Sequence, residues 1–268
     1  MLSPPQPPSD PLAGGRDRLE TEFGQYAGWL AQTIADISLE DPIPAACRGT
    51  GNPALFERMA SHLGARPGMR VLDVGCGIGG PGAWLMAERG CRVIGTDVMR
   101  PAISGLKLLF PHFPAVVASI DEPAFGPETF DGAWMLGVLE VLDDKQRALA
   151  ALHDVVRPGG RVAIYSFVIV VDEIDDVPEV DIFERAQDVI ETATSIGFRV
   201  THAAKIADLP PAPSEWRERT TRVRERLWEL HPDDPRLERV EFDIARISRI
   251  CTSDEVEPWE FVLEKGAR

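Results

Sequence analysis

The chain has 268 residues, 44% of them apolar, 26% charged and 7% aromatic, enough for one large domain or two small ones with an ample core. Forty-three acids against 28 bases leave a net charge of −15, which argues against nucleic acid or an anionic bilayer as the main partner. Cys47, Cys76, Cys91 and Cys251 show neither CxxC nor Cys/His spacing, so no metal and no disulfide scaffold are expected.

The first fifteen residues hold five prolines and two glycines without an apolar period and read as a disordered leader, 1–15. That start has neither a charged n-region nor an apolar h-region, and no run approaches the ~18 apolar residues of a membrane span. A cytoplasmic protein is expected. Residues 16–66 read as N-terminal helices. Leu19, Phe23, Tyr26, Leu30, Ile34 and Ile37 recur at three- and four-residue steps on one face. After Asp41-Pro-Ile-Pro, Asn52 is placed to cap a second helix with Pro53 at its first position.

From residue 67 to 210 the rhythm alternates strand and helix. Strands are predicted at Met69–Val74, Cys91–Thr96, Ala115–Ile120, Phe130–Leu136 and Arg161–Phe167. Helices are predicted at Gly80–Arg89, Pro101–Leu109 and Lys145–Val156. A helix over Ile182–Ile196, stopped by Gly197, precedes a strand from Phe198. Such alternation means parallel strands with helical crossovers, an open α/β sheet that binds ligands beyond the carboxyl ends of its strands. Residues 211–255 read as a helical hairpin turned at His231-Pro-Asp-Asp-Pro235, and 256–268 hold a short final strand at Trp259–Leu263. Two charge runs stand out. Asp172–Glu191 has nine acids and one base, a solubilising loop or a lid favouring cationic substrates. Arg217–Arg249 balances nine arginines against nine acids from Glu215 to Asp243, the pattern of a solvated helical face.

The most informative segment is Asp73-Val-Gly75-Cys76-Gly77-Ile-Gly79-Gly80-Pro-Gly82. Glycines between a strand and a helix turn the backbone sharply and let a ligand approach main-chain atoms. Gly75, Gly77 and Gly80 also satisfy the dinucleotide pattern G-x-G-x-x-G. Asp73, however, stands where a pyrophosphate loop gains nothing from an anion, whereas a ligand bearing an ammonium group gains. Asp97, closing the second strand, suits the hydroxyls of a ribose.

Together these segments resemble the class I S-adenosylmethionine (SAM) dependent methyltransferases, in the branch acting on small molecules such as ubiquinone precursors and natural products. Asp73-Val-Gly-Cys-Gly-Ile-Gly is similar to that family's first motif and Gly95-Thr-Asp97 to its second. Phe130-Asp131 to Leu136 resembles its fourth strand, and Arg157-Pro-Gly-Gly160 the turn before its fifth. The resemblance spans about residues 53–167. It implies a Rossmann-like, seven-stranded, mostly parallel sheet with an antiparallel last strand, plus a helical cap. It further implies that Asp73, Gly75, Cys76 and Gly77 hold the methionyl part of SAM and that Asp97 grips the ribose. Val98, Met99, Ser119, Ile120 and Met135 would border the rest of the cofactor. Ser119 stands where the family usually has an acid for the adenine amino group, with Asp121 near enough to substitute.

Methyl displacement from a sulfonium is governed mainly by alignment, and a base is needed only for a poorly ionised acceptor. Relatives often carry histidine after the fourth strand, but here the segment is Gly137-Val-Leu-Glu140-Val141. Glu140 is the candidate base, against the alternative of a solvent-facing acid at a helix start. Tyr26 is a second catalytic candidate, and Trp29, Trp216, Val223 and Leu227 are candidates to line an acceptor pocket beneath the cap. Plain packing is the alternative for each. The acceptor is expected to be a small or medium organic molecule. Two rival readings remain open: a SAM-binding cyclase that transfers no methyl group, and a nicotinamide-dependent oxidoreductase.

Overall fold

The computed structural model describes residues 16–37, 40–49, 51–122, 124–174 and 182–267, with side chains from residue 21 onward. The expected leader and part of the acidic run lie outside the described residues. Helices α1 (Arg16–Asp36) and α2 (Pro53–Leu63) come first. Asn52 caps α2, its side chain accepting from the Ala54 amide at 3.0 Å, and Gly64 closes it in the left-handed region at φ 70°.

The sheet comprises β1 (Arg70–Val74), β2 (Arg92–Asp97), β3 (Ala115–Val117), β4 (Phe130–Leu136), β5 (Val156–Ile169), β6 (Phe198–Lys205) and β7 (Val256–Lys265). Its order is β3-β2-β1-β4-β5-β7-β6. β1 to β5 pair in parallel, whereas β7 runs antiparallel between β5 and β6. This is the seven-stranded, mostly parallel sheet with an antiparallel last strand that the motifs implied. Crossovers α3 (Gly80–Arg89), α4 (Arg100–Leu109), α5 (Lys145–Val155) and α6 (Ala186–Ile196) cover it, as right-handed parallel connections require.

Strand alternation sorts the core into two layers. Val71, Val93, Trp134, Ala163 and Tyr165 face α2 and α3, while Leu72, Val74, Met135, Ile164 and Phe261 face α5 and α6. A third apolar cluster joins α1 to helices α7 (Ser214–Leu230) and α8 (Pro235–Cys251). Polar pairs tie the same three helices together. Arg239 meets Glu22 at 2.9 Å, and Glu241 accepts from Tyr26 at 3.2 Å and from Arg224 at 2.5 Å. Arg224 and Glu241 stand symmetrically about the turn, as in an antiparallel hairpin.

Several boundaries depart from expectation. β5 starts earlier and ends later than predicted, because Val156 pairs with Phe130 and the strand continues through Pro158-Gly-Gly160 across a register shift. β7 is likewise longer, since it has a partner on both sides. β3 stops at Val117, so Ser119 and Ile120 lie in the turn after it. Ile182 lies outside α6, and its amide instead donates to the Glu140 carbonyl at 2.7 Å. Among the described residues, no helix is long and apolar enough to cross a membrane.

Candidate active site

The glycine loop leaves β1 through three left-handed glycines, Gly75 (φ 65°), Gly77 (φ 54°) and Gly79 (φ 93°), conformations that side chains disfavour. A Cβ on Gly75 would overlap the Val138 side chain, whereas one on Gly77 would meet nothing within 4 Å. Gly77 therefore borders open space at the carboxyl ends of the strands. Helix α3 follows at Gly80, so the loop delivers backbone to a helix N-terminus.

Asp73 sits in β1 opposite Trp134 of β4 and is buried. Its Oδ1 accepts from the Trp134 indole Nε1 at 2.8 Å, and its Oδ2 is buried without a hydrogen-bond partner. Burial, with the negative charge of Asp97 adding to it against the Trp134 hydrogen bond, pushes its pKa up to about 7. The Thr96 hydroxyl of β2, on the opposite face of the sheet, is also buried and unsatisfied. Asp97 closes β2 with Oδ2 accepting from the Gly77 amide and Oδ1 from the Met99 amide, each at 2.9 Å. Burial raises its pKa, while these amides and the charge of Arg48 oppose the rise. Each carboxylate oxygen keeps a second lone pair for a hydroxyl donor. Val98, next in the chain, is 49% exposed and offers an apolar surface. The pair fits a ligand carrying both a cation and a diol: an orphaned buried acceptor at one end, a backbone-anchored carboxylate at the other.

The remaining cofactor candidates divide. Ser119 Oγ accepts from the Asp121 amide at 3.3 Å, a local turn bond. The Cys76 side chain is buried toward β2, where its Sγ would collide with a Cβ on Gly95, and burial pushes its thiol well above the ordinary range. Ile120 is buried in the lower core layer, and Met99 packs on the α1 cluster. Met135 corrects the expectation. It is wholly buried on the α5 side of β4, the face opposite Trp134, and presents no surface to a ligand. Val138, past the end of β4, is the residue that approaches the loop.

Glu140 lies in a one-turn 3-10 helix, Leu139–Val141, and is 7% exposed, so it is not the solvent-facing acid of the alternative reading. Its Oε2 accepts from the Ser166 hydroxyl at 2.9 Å. Burial, with the negative charge of Glu140 next, also raises the pKa of Tyr165. Tyr26 is buried and bonded to Glu241. Burial first, then that carboxylate, holds its phenol up at about 12, far from the range of a general base near neutral pH.

The four pocket candidates do not converge. Val223 and Leu227 are buried in the interface with α1, and Trp29 stacks on His231 at 4.4 Å with the Arg236 guanidinium 5.0 Å from its ring. Those three serve helix packing and the hairpin turn. Trp216 instead reaches the upper core layer, 6.0 Å from Phe56. Sequence reasoning missed Arg48. Its guanidinium carbon lies 4.2 Å from the Phe23 ring centroid and 5.7 Å from that of Tyr26, within electrostatic reach of Asp97. Nothing local marks Arg48, because the helix that it meets is distant in sequence.

Residues 72–164 match the methyltransferase domain family. The O-methyltransferase resE of Aspergillus sclerotiorum is 30% identical over 210 residues, covering 69% of this chain and 77% of that protein. The chain belongs to the class I SAM-dependent methyltransferases, in the small-molecule branch. Squalene methyltransferase 1 of Botryococcus braunii is 26% identical over 181 residues, 59% of this chain, and the chain spans about half of that relative (47%). In fold, the chain is similar to the [4+2]-cyclase SpnF, with a TM-score of 0.68 at 16% identity over 92% of this chain and 96% of SpnF.

Proposed function

We propose that the chain moves a methyl group from SAM to a small or medium organic acceptor, by holding the two in line and excluding water. The observation that carries this reading is the pairing of Asp73, whose buried Oδ2 has no donor, with Asp97 across the open glycine turn. When bound, SAM supplies an electrophilic methyl on a sulfonium together with its own leaving group. Asp73 and the loop around Gly75 and Gly77 would receive the ammonium end. Asp97 would take the ribose hydroxyls, and Val98 and Met99 the base, with Ser119 as a polar neighbour.

Arg48 adds a cation above Phe23 and Tyr26, suited to the cofactor's carboxylate. Glu140 is the nearest carboxylate that the β4 end offers as a base. The Ser166 hydroxyl donates to it and orients it. A base matters only where the acceptor must lose a proton. Helix α1 with the α7–α8 hairpin serves as the cap, whereas α2, expected to share in it, packs on the sheet in the core; Trp216 is the cap's candidate contact with the acceptor. A cytoplasmic location fits four cysteines none of which is in a disulfide.

A second reading keeps the cofactor and drops the transfer. The likeness in fold to a [4+2]-cyclase and the absence of histidine from Gly137–Val141 support it. Calorimetry with SAM and with NAD tests the cofactor: tight SAM and silent NAD are expected, and the reverse would remove the proposal. Incubation with methyl-labelled SAM and a panel of phenolic and terpenoid acceptors then separates the two readings. Label in the product supports transfer, and an unlabelled rearranged product supports cyclisation.

A further inference from the structure

Well away from the glycine loop, with β4 and β5 between β1 and β7, two histidines converge on one carboxylate. Glu260 of β7 is wholly buried. The Nε2 of His202 on β6 lies 2.8 Å from its Oε1, and the Nε2 of His62 on α2 lies 3.3 Å from its Oε2. The two imidazoles stack at 4.5 Å, and the three ligand atoms all fall within 4.8 Å of one another. We propose that His62, His202 and Glu260 form a divalent transition-metal site of the zinc class, clamping α2 to the β6–β7 edge.

Two imidazoles and a carboxylate are a borderline-soft donor set that suits zinc. Bonds of about 2.0–2.2 Å to a tetrahedral ion put its ligands about 3.3 Å apart. His202 Nε2 approaches one oxygen of Glu260 and His62 Nε2 the other, and one ligand atom from each residue already lies within 4.8 Å of the other two, so the set closes on an ion by rotation of the partly exposed rings. Those rings, 28% and 36% exposed, leave a coordination position open to water.

Arg58 is the competitor. It holds both oxygens of Glu260 at 2.5 Å, with its side chain 38% exposed. Metal and guanidinium therefore exchange at one carboxylate, which fixes the sign of a mutational test.

The test is zinc titration of the chelator-treated full chain by calorimetry, with thermal unfolding followed in parallel. One zinc per chain and a raised melting temperature are expected. His62→Gln and His202→Gln should each abolish uptake, and Arg58→Gln should tighten it about tenfold. If either histidine variant fails to fold, cobalt(II) bound to the natural chain still reports the ligands. Absorption without a thiolate charge-transfer band supports the site, and a strong band places the ion on a cysteine and overturns it. No uptake by the natural chain, or uptake that survives both histidine variants, also overturns it.

Discussion

Asp73 and Trp134 face each other across β1 and β4, and the indole Nε1 donates to the carboxylate at 2.8 Å. One neutral donor is scant compensation for a carboxyl in the core. That is why this acid titrates near neutrality in the ligand-free chain. The imbalance stores an appetite for a cationic group, and it carries a sign that can be measured.

The folded pKa of Asp73, about 7, lies above the ordinary 3.8. Between those values the folded chain binds a proton that the unfolded chain has lost, so this contribution is full below about pH 4 and falls as the pH rises to 7. The limiting slope is about 1.4 kcal/mol per pH unit. Urea unfolding over that range should show the slope in the natural chain and its loss in Asp73→Asn. SAM binding should run the other way, tightening from pH 6 to 8 with proton release, detectable in buffers of different ionisation enthalpy.

Asp97→Ala should weaken SAM binding by about 1–3 kcal/mol, since charge-assisted bonds to the ribose are lost. Because Asp97 also accepts from the Gly77 and Met99 amides, the same change should slacken the loop. Amide exchange at Gly77 and Met99 should quicken, and unchanged affinity would remove Asp97 from the site.

Gly75→Ala meets two obstacles, the Val138 side chain and a φ of 65°. Strain of this kind costs about 1–3 kcal/mol, so both melting temperature and cofactor affinity should fall. Adding Val138→Ala should restore only part of the loss, as the backbone conformation stays unfavourable.

Glu140→Gln keeps the shape and the bond from Ser166 while removing the base. For an acceptor that must be deprotonated, kcat should drop by about 10²–10⁴ with KM nearly unchanged. For an acceptor already ionised, kcat should hold. Equal loss on both acceptors would mark Glu140 as structural.

Tyr26→Phe deletes only the bond to Glu241. It should cost about 0.5–1.5 kcal/mol in chemical unfolding, without the change in the pH profile of kcat that a catalytic phenol would cause.

Much of this was legible in the amino-acid sequence. Asp73, the glycine turn and Asp97 form a local pattern whose spacing encodes strand, bend and helix, so the architecture and the course of the loop could be read directly. Met135 eluded that reading because a strand alternates its faces, and the register that turns Trp134 toward Asp73 turns Met135 away. For Glu140 the alternative of an exposed helix-start acid could not be dismissed from sequence, because its covers, Ser166 and the Ile182 segment, are far along the chain. Val223, Leu227 and Trp29 matched a pocket lining as well as a helix interface, and only tertiary packing distinguishes the two: Val223 and Leu227 against α1, and Trp29, on α1, against His231. Arg48 and the His62–His202–Glu260 cluster are long-range encounters with no periodic signature.

The placement of β7 has a consequence for synthesis. Among the described residues β6 pairs with a strand made some fifty residues later, and β5 waits for the same segment to cover its outer edge. During translation both edges stand bare, a slow, long-range closure of the kind that exposes nascent chains to mispairing. Pairing of β7, rather than emergence of the cofactor loop, should be the moment at which this sheet becomes resistant to proteolysis.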